Sequence, residues 1–228
     1  MSTTRRQFLD RLAAGTAALG GLPLALGATA GVLDAAALPG ASSANWDLSW
    51  VAKLTGKHRT VFDVPEVESG YGVWRASIWM AQYESVLGIP ARDMSAAVVL
   101  RHNGIVLAMD QAFWDRYGIG KAKNVLHPVT QEPTDRNPVL LSSARGEQPA
   151  QFDRFALDKF LARGGVALAC DLALADCVQL IASKDGLAPE AARAKAIGHL
   201  VPGVVLQPSG VFAAIRAQEA GCQYLRAS

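Results

Sequence analysis

Cys170 closes the apolar run Val166–Ala169 and stands directly before a helical run that opens at Asp171. A thiol at a strand-to-helix junction meets free backbone N–H groups and the positive end of a helix dipole, which favours thiolate. His102 and Asn103 follow a second apolar run, Ala96–Arg101. A histidine there supplies a cation or a proton shuttle beside a thiol. Asp63, Glu66, Ser69 and Gly70 follow the run His58–Val64, and Gln207 and Ser209 follow Val204–Leu206. Cys170 and His102 are thus the candidate catalytic pair. Asn103, Asp63, Ser69, Asp171, Gln207 and Ser209 are the candidate binding groups. Asp171 works against the thiolate, because a carboxylate beside the sulfur raises its pKa. The plainer alternative makes Cys170 a small buried hydrophobe at a strand end.

The remaining groups carry weaker signals. Cys177 lies among Leu174, Val178 and Ile181 and reads as core. Cys222 follows Gly221 and reads as structural or partly exposed, with pairing between subunits as the other option. Cys170 and Cys177 are seven residues apart on one helix, about 10 Å along its axis and beyond disulfide reach. His127 lies in a long loop that either closes over the site or stays solvated. His58 and His199 read as surface or capping residues. A metal site from His102, His127, Asp63 and Cys170 matches no recognised ligand spacing. Ser209-Gly210 before a helix reads as an N-cap, or else as an anion site on helix N–H groups. Gly70-Tyr71-Gly72 is too short for a phosphate loop, and neither dinucleotide nor Walker spacing occurs. No cofactor is expected.

These residues need a frame that brings strand ends together. His58–Val64, Ala96–Arg101, Val166–Cys170 and Val204–Leu206 read as strands, with Gln223–Arg226 as a short last one. Ala96–Arg101 is apolar without alternation, as expected of a strand covered on both faces. Helices are expected over Tyr71–Leu87 with Gly88 as stop, Leu107–Tyr117 with Gly118 as stop, Phe152–Arg163, Asp171–Ser183, Pro189–Leu200 and Gly210–Ala220. Residues 119–150 carry Pro128, Pro133, Pro138 and Pro149 and little periodicity. A loop of that length is a lid, a binding element or an interface arm. Strands alternating with helices predict an α/β fold: a flavodoxin-like three-layer αβα sandwich on a mainly parallel sheet of about four or five strands. In such a sheet, ligands bind beyond the carboxyl ends of the strands.

The chain opens with Thr4-Arg5-Arg6-Gln7-Phe8-Leu9, followed by an uncharged Ala-, Gly- and Leu-rich stretch from Leu12 to Leu33. Twin arginines before a short apolar segment read as a twin-arginine export signal. Gly15, Gly20, Gly21, Pro23, Gly27 and Gly31 dilute the stretch below what an uncleaved anchor uses. Ala28-Thr29-Ala30 and Ala35-Ala36-Ala37 are small-residue cleavage sites. The expected organisation is a cleaved signal over 1–30, an irregular lead-in over 31–57, and one domain over 58–228 with the insertion at 119–150. The expected location is the periplasm, with the Tat translocon as partner during export.

The chain carries 22 basic and 20 acidic side chains, and three arginines and one aspartate lie in residues 1–30, so 19 of each remain. No basic cluster survives there, and no nucleic acid is expected as partner. Three cysteines in an oxidising compartment leave at least one thiol free or shared between chains.

The segment Leu161–Leu174 (LARGGVALACDLAL) and the close Gly203–Leu225 (GVVLQPSGVFAAIRAQEAGCQYL) resemble the DsrE/DsrF-like sulfur-relay family. The shared features are a glycine leading into an apolar strand that ends in cysteine, and a final G-x-x-Y-L. The resemblance covers most of residues 58–227. It implies a flavodoxin-like three-layer sheet, a homo-oligomer, and a sulfane-sulfur-bearing cysteine at the position of Cys170. Export and the Pro-rich insertion are departures from the family pattern. The reading is an exported DsrE-like protein with a small-molecule or sulfane-sulfur ligand at Cys170. The alternative is a non-catalytic binding or accessory module of the periplasm, and a lower one is a metal-dependent or redox enzyme of the envelope.

Overall fold

Strands without apolar alternation must be buried on both sides, and the two inner ones are, whereas the edge strand Gln223–Arg226 is exposed at every position. In the computed structural model, which describes residues 45–228, Met94–Leu100 and Val166–Cys170 are buried at every position. The expected export signal and cleavage sites, and the lead-in up to residue 44, lie outside the described residues. The strands are β1 (His58–Val64), β2 (Met94–Leu100), β3 (Val166–Cys170), β4 (Val204–Gln207) and β5 (Gln223–Arg226). They pair in parallel in the order β4-β3-β2-β1-β5.

That order dictates the layers. From β1 to β4 the chain steps across the sheet in one direction, so right-handed crossovers place their helices on one face. This face carries α1 (Tyr71–Leu87), α2 (Gln111–Tyr117), α3 (Ile119–Ala122), α4 (Leu157–Ala162), α5 (Asp171–Asp185) and α6 (Pro189–Gly198). The last step, from β4 to β5, runs back beyond β1. Its helix α7 (Gly210–Glu219) therefore crosses the other face, beside a 3-10 turn that buries Trp50. Alternate strand residues divide accordingly: Phe62, Val98 and Ala167 join the first core, and Val61, Val99 and Leu168 the second. The result is a flavodoxin-like three-layer αβα sandwich. Among the described residues no helix is long and apolar enough to cross a membrane.

Most elements start and stop where their end residues dictate. Gly88 and Gly186 take left-handed conformations that end α1 and α5. The helix expected from Leu107 instead begins at Gln111. The Asp110 side chain accepts the Phe113 N–H at 2.8 Å and fixes the start, while His102–Ala108 winds as a tight 3-10 segment. The helix expected over Phe152–Arg163 splits at Ala156, where the backbone is extended.

Part of the insertion packs into the fold. Val125, Val139 and Leu141 are buried, and the fully buried Asn137 donates its amide to the Leu107 and Met109 carbonyls. His127 neither closes over the strand ends nor faces solvent. It is buried; its Nδ1 accepts from the Val129 and Thr130 N–H groups, and its Nε2 meets the Glu147 carbonyl at 2.8 Å. Val125 and Val139 of the segment join the first core, and its own hydrogen bonds hold the loop together.

At the end of β2 the Asn103-Gly104 turn has a packing reason. A Cβ on Gly104 would fall 2.2 Å from the Val64 carbonyl oxygen, and the Gly104 N–H donates to Pro65 at 2.9 Å. Gly104→Ala must push the turn off β1. The expected cost is about 1–3 kcal/mol, read from urea unfolding.

Candidate functional site

The strand order creates a crevice. The chain leaves β3 for α5 on one face and leaves β4 for α7 on the other. Loops that part in this way open a gap between the two carboxyl ends, where open α/β sheets bind ligands. A cavity of about 160 Å³ occupies that gap, lined by Arg101, His102, Cys170, Ala173, Ser209 and Gly210 among others. Of the larger cavities, those of about 560, 360 and 290 Å³ have no cysteine or histidine in their walls, and one of about 180 Å³ is lined by His102 and Cys177.

Cys170 ends β3 opposite Gln207 of β4 and occupies the N-cap position of α5, with no side-chain cap bond of its own. It is 6% exposed and lines the crevice. His102 enters the same wall from the end of β2 with φ +47°. A histidine in the left-handed region is strained, and such strain gathers at functional sites. Ser209 lines the crevice too and is the N-cap of α7: its Oγ accepts from the Phe212 N–H at 3.0 Å. Gly210 lets α7 sit on the stem of Arg101, because a Cβ there would meet Arg101 Cδ at 2.5 Å.

Asp63 does not line the crevice. It is buried, and both its oxygens are bound by Arg101, with Nε at 2.6 Å and Nη2 at 2.7 Å. The Tyr224 hydroxyl donates to Oδ2 at 2.6 Å. Burial pushes the Asp63 carboxyl up, but the bonds from Arg101 and Tyr224 outweigh it and hold the group below the ordinary aspartate range. The network clamps the ends of β1, β2 and β5 and fixes Arg101 as crevice wall.

The other candidates disperse. Asp171 is buried and faces α6, with Oδ1 2.7 Å from Arg193 Nη2 in an ion pair that lacks hydrogen-bond alignment. Its charge is met there, away from the crevice wall. Gln207 is fully buried and donates Nε2 to the Asp47 carbonyl at 2.9 Å, tying the lead-in to β4. Ser69 stands beyond β1, separated from β3 by β2, with φ +55°. Asn103 donates to Glu66 Oε2 at 2.9 Å and accepts from Lys123 Nζ at 2.7 Å. It lines a neighbouring cavity rather than the crevice. His199 Nδ1 lies 3.0 Å from Asp110 Oδ1 at the end of α6, and His58 packs edge-on against Tyr83.

All three cysteines are free. Burial pushes the Cys177 thiol up to about 12, and it raises Cys222 as well. Among the described residues no three His, Cys, Asp or Glu side chains gather as a metal site requires, and His127 and Asp63 have their partners elsewhere.

Sequence reasoning gave Arg101 no role, and it named Gly210 and Tyr224 without foreseeing the Arg101 stem or the Asp63 carboxylate as their partners. One signal for Arg101 was present: a charged residue ending an otherwise apolar, doubly covered strand needs a buried partner. No family model matches the chain, and no curated protein matches it. The site therefore rests on its own geometry: Cys170, His102 and Ser209 brought from three strand ends to one crevice.

Proposed function

We propose that the protein handles sulfane sulfur at Cys170, as an exported, DsrE-like, homo-oligomeric protein of the periplasm. The observation that carries this reading is the crevice between β3 and β4, where the thiol and His102 line one wall. The Cys170 thiolate attacks the outer sulfur of a donor R–S–SH. The donor's S–S bond breaks, R–S⁻ leaves, and Cys170 holds the persulfide. His102 gives its proton to the departing sulfur.

The test is intact-protein mass after exposure to inorganic polysulfide. The expected result is a gain of about 32 Da per chain, the mass of one sulfur, on Cys170. The gain disappears in Cys170→Ser. No gain, or a gain that persists in Cys170→Ser, overturns the reading.

The near-complete burial of Cys170 favours a second reading, a binding module without turnover. A ligand then occupies the crevice and the mass stays unchanged.

The oligomer is supported by α7, which turns Val211, Phe212 and Ile215 outward beside the exposed Leu172 on the crevice rim. Export is supported by Arg5-Arg6 and the segment behind them. Cell fractionation should find the chain in the periplasm, and light scattering of that material should exceed one chain's mass; cytoplasmic retention or a monomer would remove the corresponding part.

A further inference from the structure

We infer that the sulfur donor is a low-molecular-weight organic persulfide whose carbon group is apolar and about the size of a phenyl ring. This rests on the reading of Cys170 as the sulfur acceptor and adds the donor's class to it.

The crevice does not stand alone. A second cavity, of about 180 Å³, adjoins it, and His102 and Asp176 line both. The two chambers differ in chemistry. The first holds the thiol, Ser209 and the N-terminal turn of α7. The second is walled by Ile105, Val106, Phe113, Ile119 and Leu180, together with Tyr117, the buried Cys177 thiol, Asn103 and Lys123. An apolar chamber of roughly 150 Å³ lined by such side chains takes benzene. The second chamber therefore suits a phenyl or branched alkyl group, and the first suits the sulfur end. His102 and Asp176, the residues common to both linings, are both exposed, so the two chambers meet at surface side chains.

The reaction balances without an oxidant. The Cys170 thiolate takes the terminal sulfur of R–S–SH, and R–S⁻ leaves with its apolar group in the second chamber. Donors with a polar R group, or with none, lose the hold of that chamber.

The test compares benzyl persulfide with hydroxyethyl persulfide as donors, following Cys170 loading by mass spectrometry. The same comparison is made in Ala122→Phe. Ala122 is exposed and lines the second chamber, so a ring there fills the chamber with little risk to folding. Leu180→Phe narrows it from α5 as a second variant, and thermal melting identifies the folded ones. The expected result is loading from benzyl persulfide about tenfold faster than from the hydroxyethyl donor, with that ratio falling toward one in the filled variants. Equal rates in the natural protein overturn the inference and leave Cys170 as a sulfur acceptor. A benzyl preference that survives in both folded variants overturns the placement in the second chamber. Failure of both donors and of polysulfide to load Cys170 removes the underlying reading as well.

Discussion

Asp63→Ala will lower the unfolding free energy by about 3–5 kcal/mol, seen as a fall in the urea midpoint at neutral pH. The Asp63 side chain is 1% exposed and accepts two bonds from Arg101 and one from Tyr224. Alanine strands a mostly covered guanidinium without its anion, and it leaves the Tyr224 hydroxyl short of its acceptor. The double variant Asp63→Leu with Arg101→Met tests this account. It removes both charges together, so its cost should fall well below that of Asp63→Ala alone. A double variant as unstable as the single one would show that the loss comes from shape and not from the unpaired charge. The crevice should respond as well, because the Arg101 stem carries Gly210 and the start of α7.

The same pair sets the acid response. The folded-state pKa of Asp63 lies below the ordinary value near 3.9. The unfolded chain thus binds the proton more readily than the folded one. The stabilisation is complete above the unfolded value and is lost as pH falls through the folded value. Glu147 has the same sign: burial raises its carboxyl, and Arg145, the Ser142 N–H and Arg136 more than offset that. Asp185 also has this sign, held low by Arg116, Lys195 and Tyr117. Urea titrations at pH 7 and pH 3 should therefore show the gap between natural protein and Asp63→Ala narrowing in acid. A gap that is unchanged at pH 3 would assign the network a role other than charge pairing.

The frame was legible because its signals are local. β1, β3, β5 and α1 end where the apolar runs and their Gly or Pro neighbours place them. The start of α2 was not legible. The apolar spacing from Leu107 runs on past Asp110, and only the Asp110–Phe113 cap divides it. At the site, strand-end logic brought Cys170, His102 and Ser209 together, since any parallel sheet places those ends on one rim. It failed for Asp63, Asp171 and Gln207, whose partners Arg101, Arg193 and Asp47 come from elsewhere in the chain. Asp171 also shows how little separates the outcomes. One helical position turns its carboxylate toward α6, while Leu172, Ala173 and Asp176 of the same helix line the crevice. Tyr224 reaches Asp63 across 161 residues, and no local pattern encodes such a contact.

Alkylation of the folded protein will stop at one thiol per chain, and Cys170→Ser will abolish it. The three cysteines are all free, so the difference lies in their surroundings. Cys177 lines the second chamber but is only 3% exposed, and its thiol is pushed up to about 12 by burial, reinforced by Asp176. At pH 8 its thiolate fraction is then about 10³-fold below that of a free cysteine near 8.5, before access is considered. Cys222 packs with Ala213, Ala217 and Trp50 on the other face and is raised by burial as well, with Arg59 offsetting only part of it. Cys170 alone of the three lines the crevice between β3 and β4. Iodoacetamide followed by peptide mass mapping should find the label there, and in Cys170→Ser the folded chain should stay unlabelled until urea exposes the other two. Equal labelling of Cys177 or Cys222 in the native state would mean that the core around them opens more readily than their burial implies. A Cys170 that stays unlabelled alongside them would close the crevice to small molecules and remove the thiol from any chemistry.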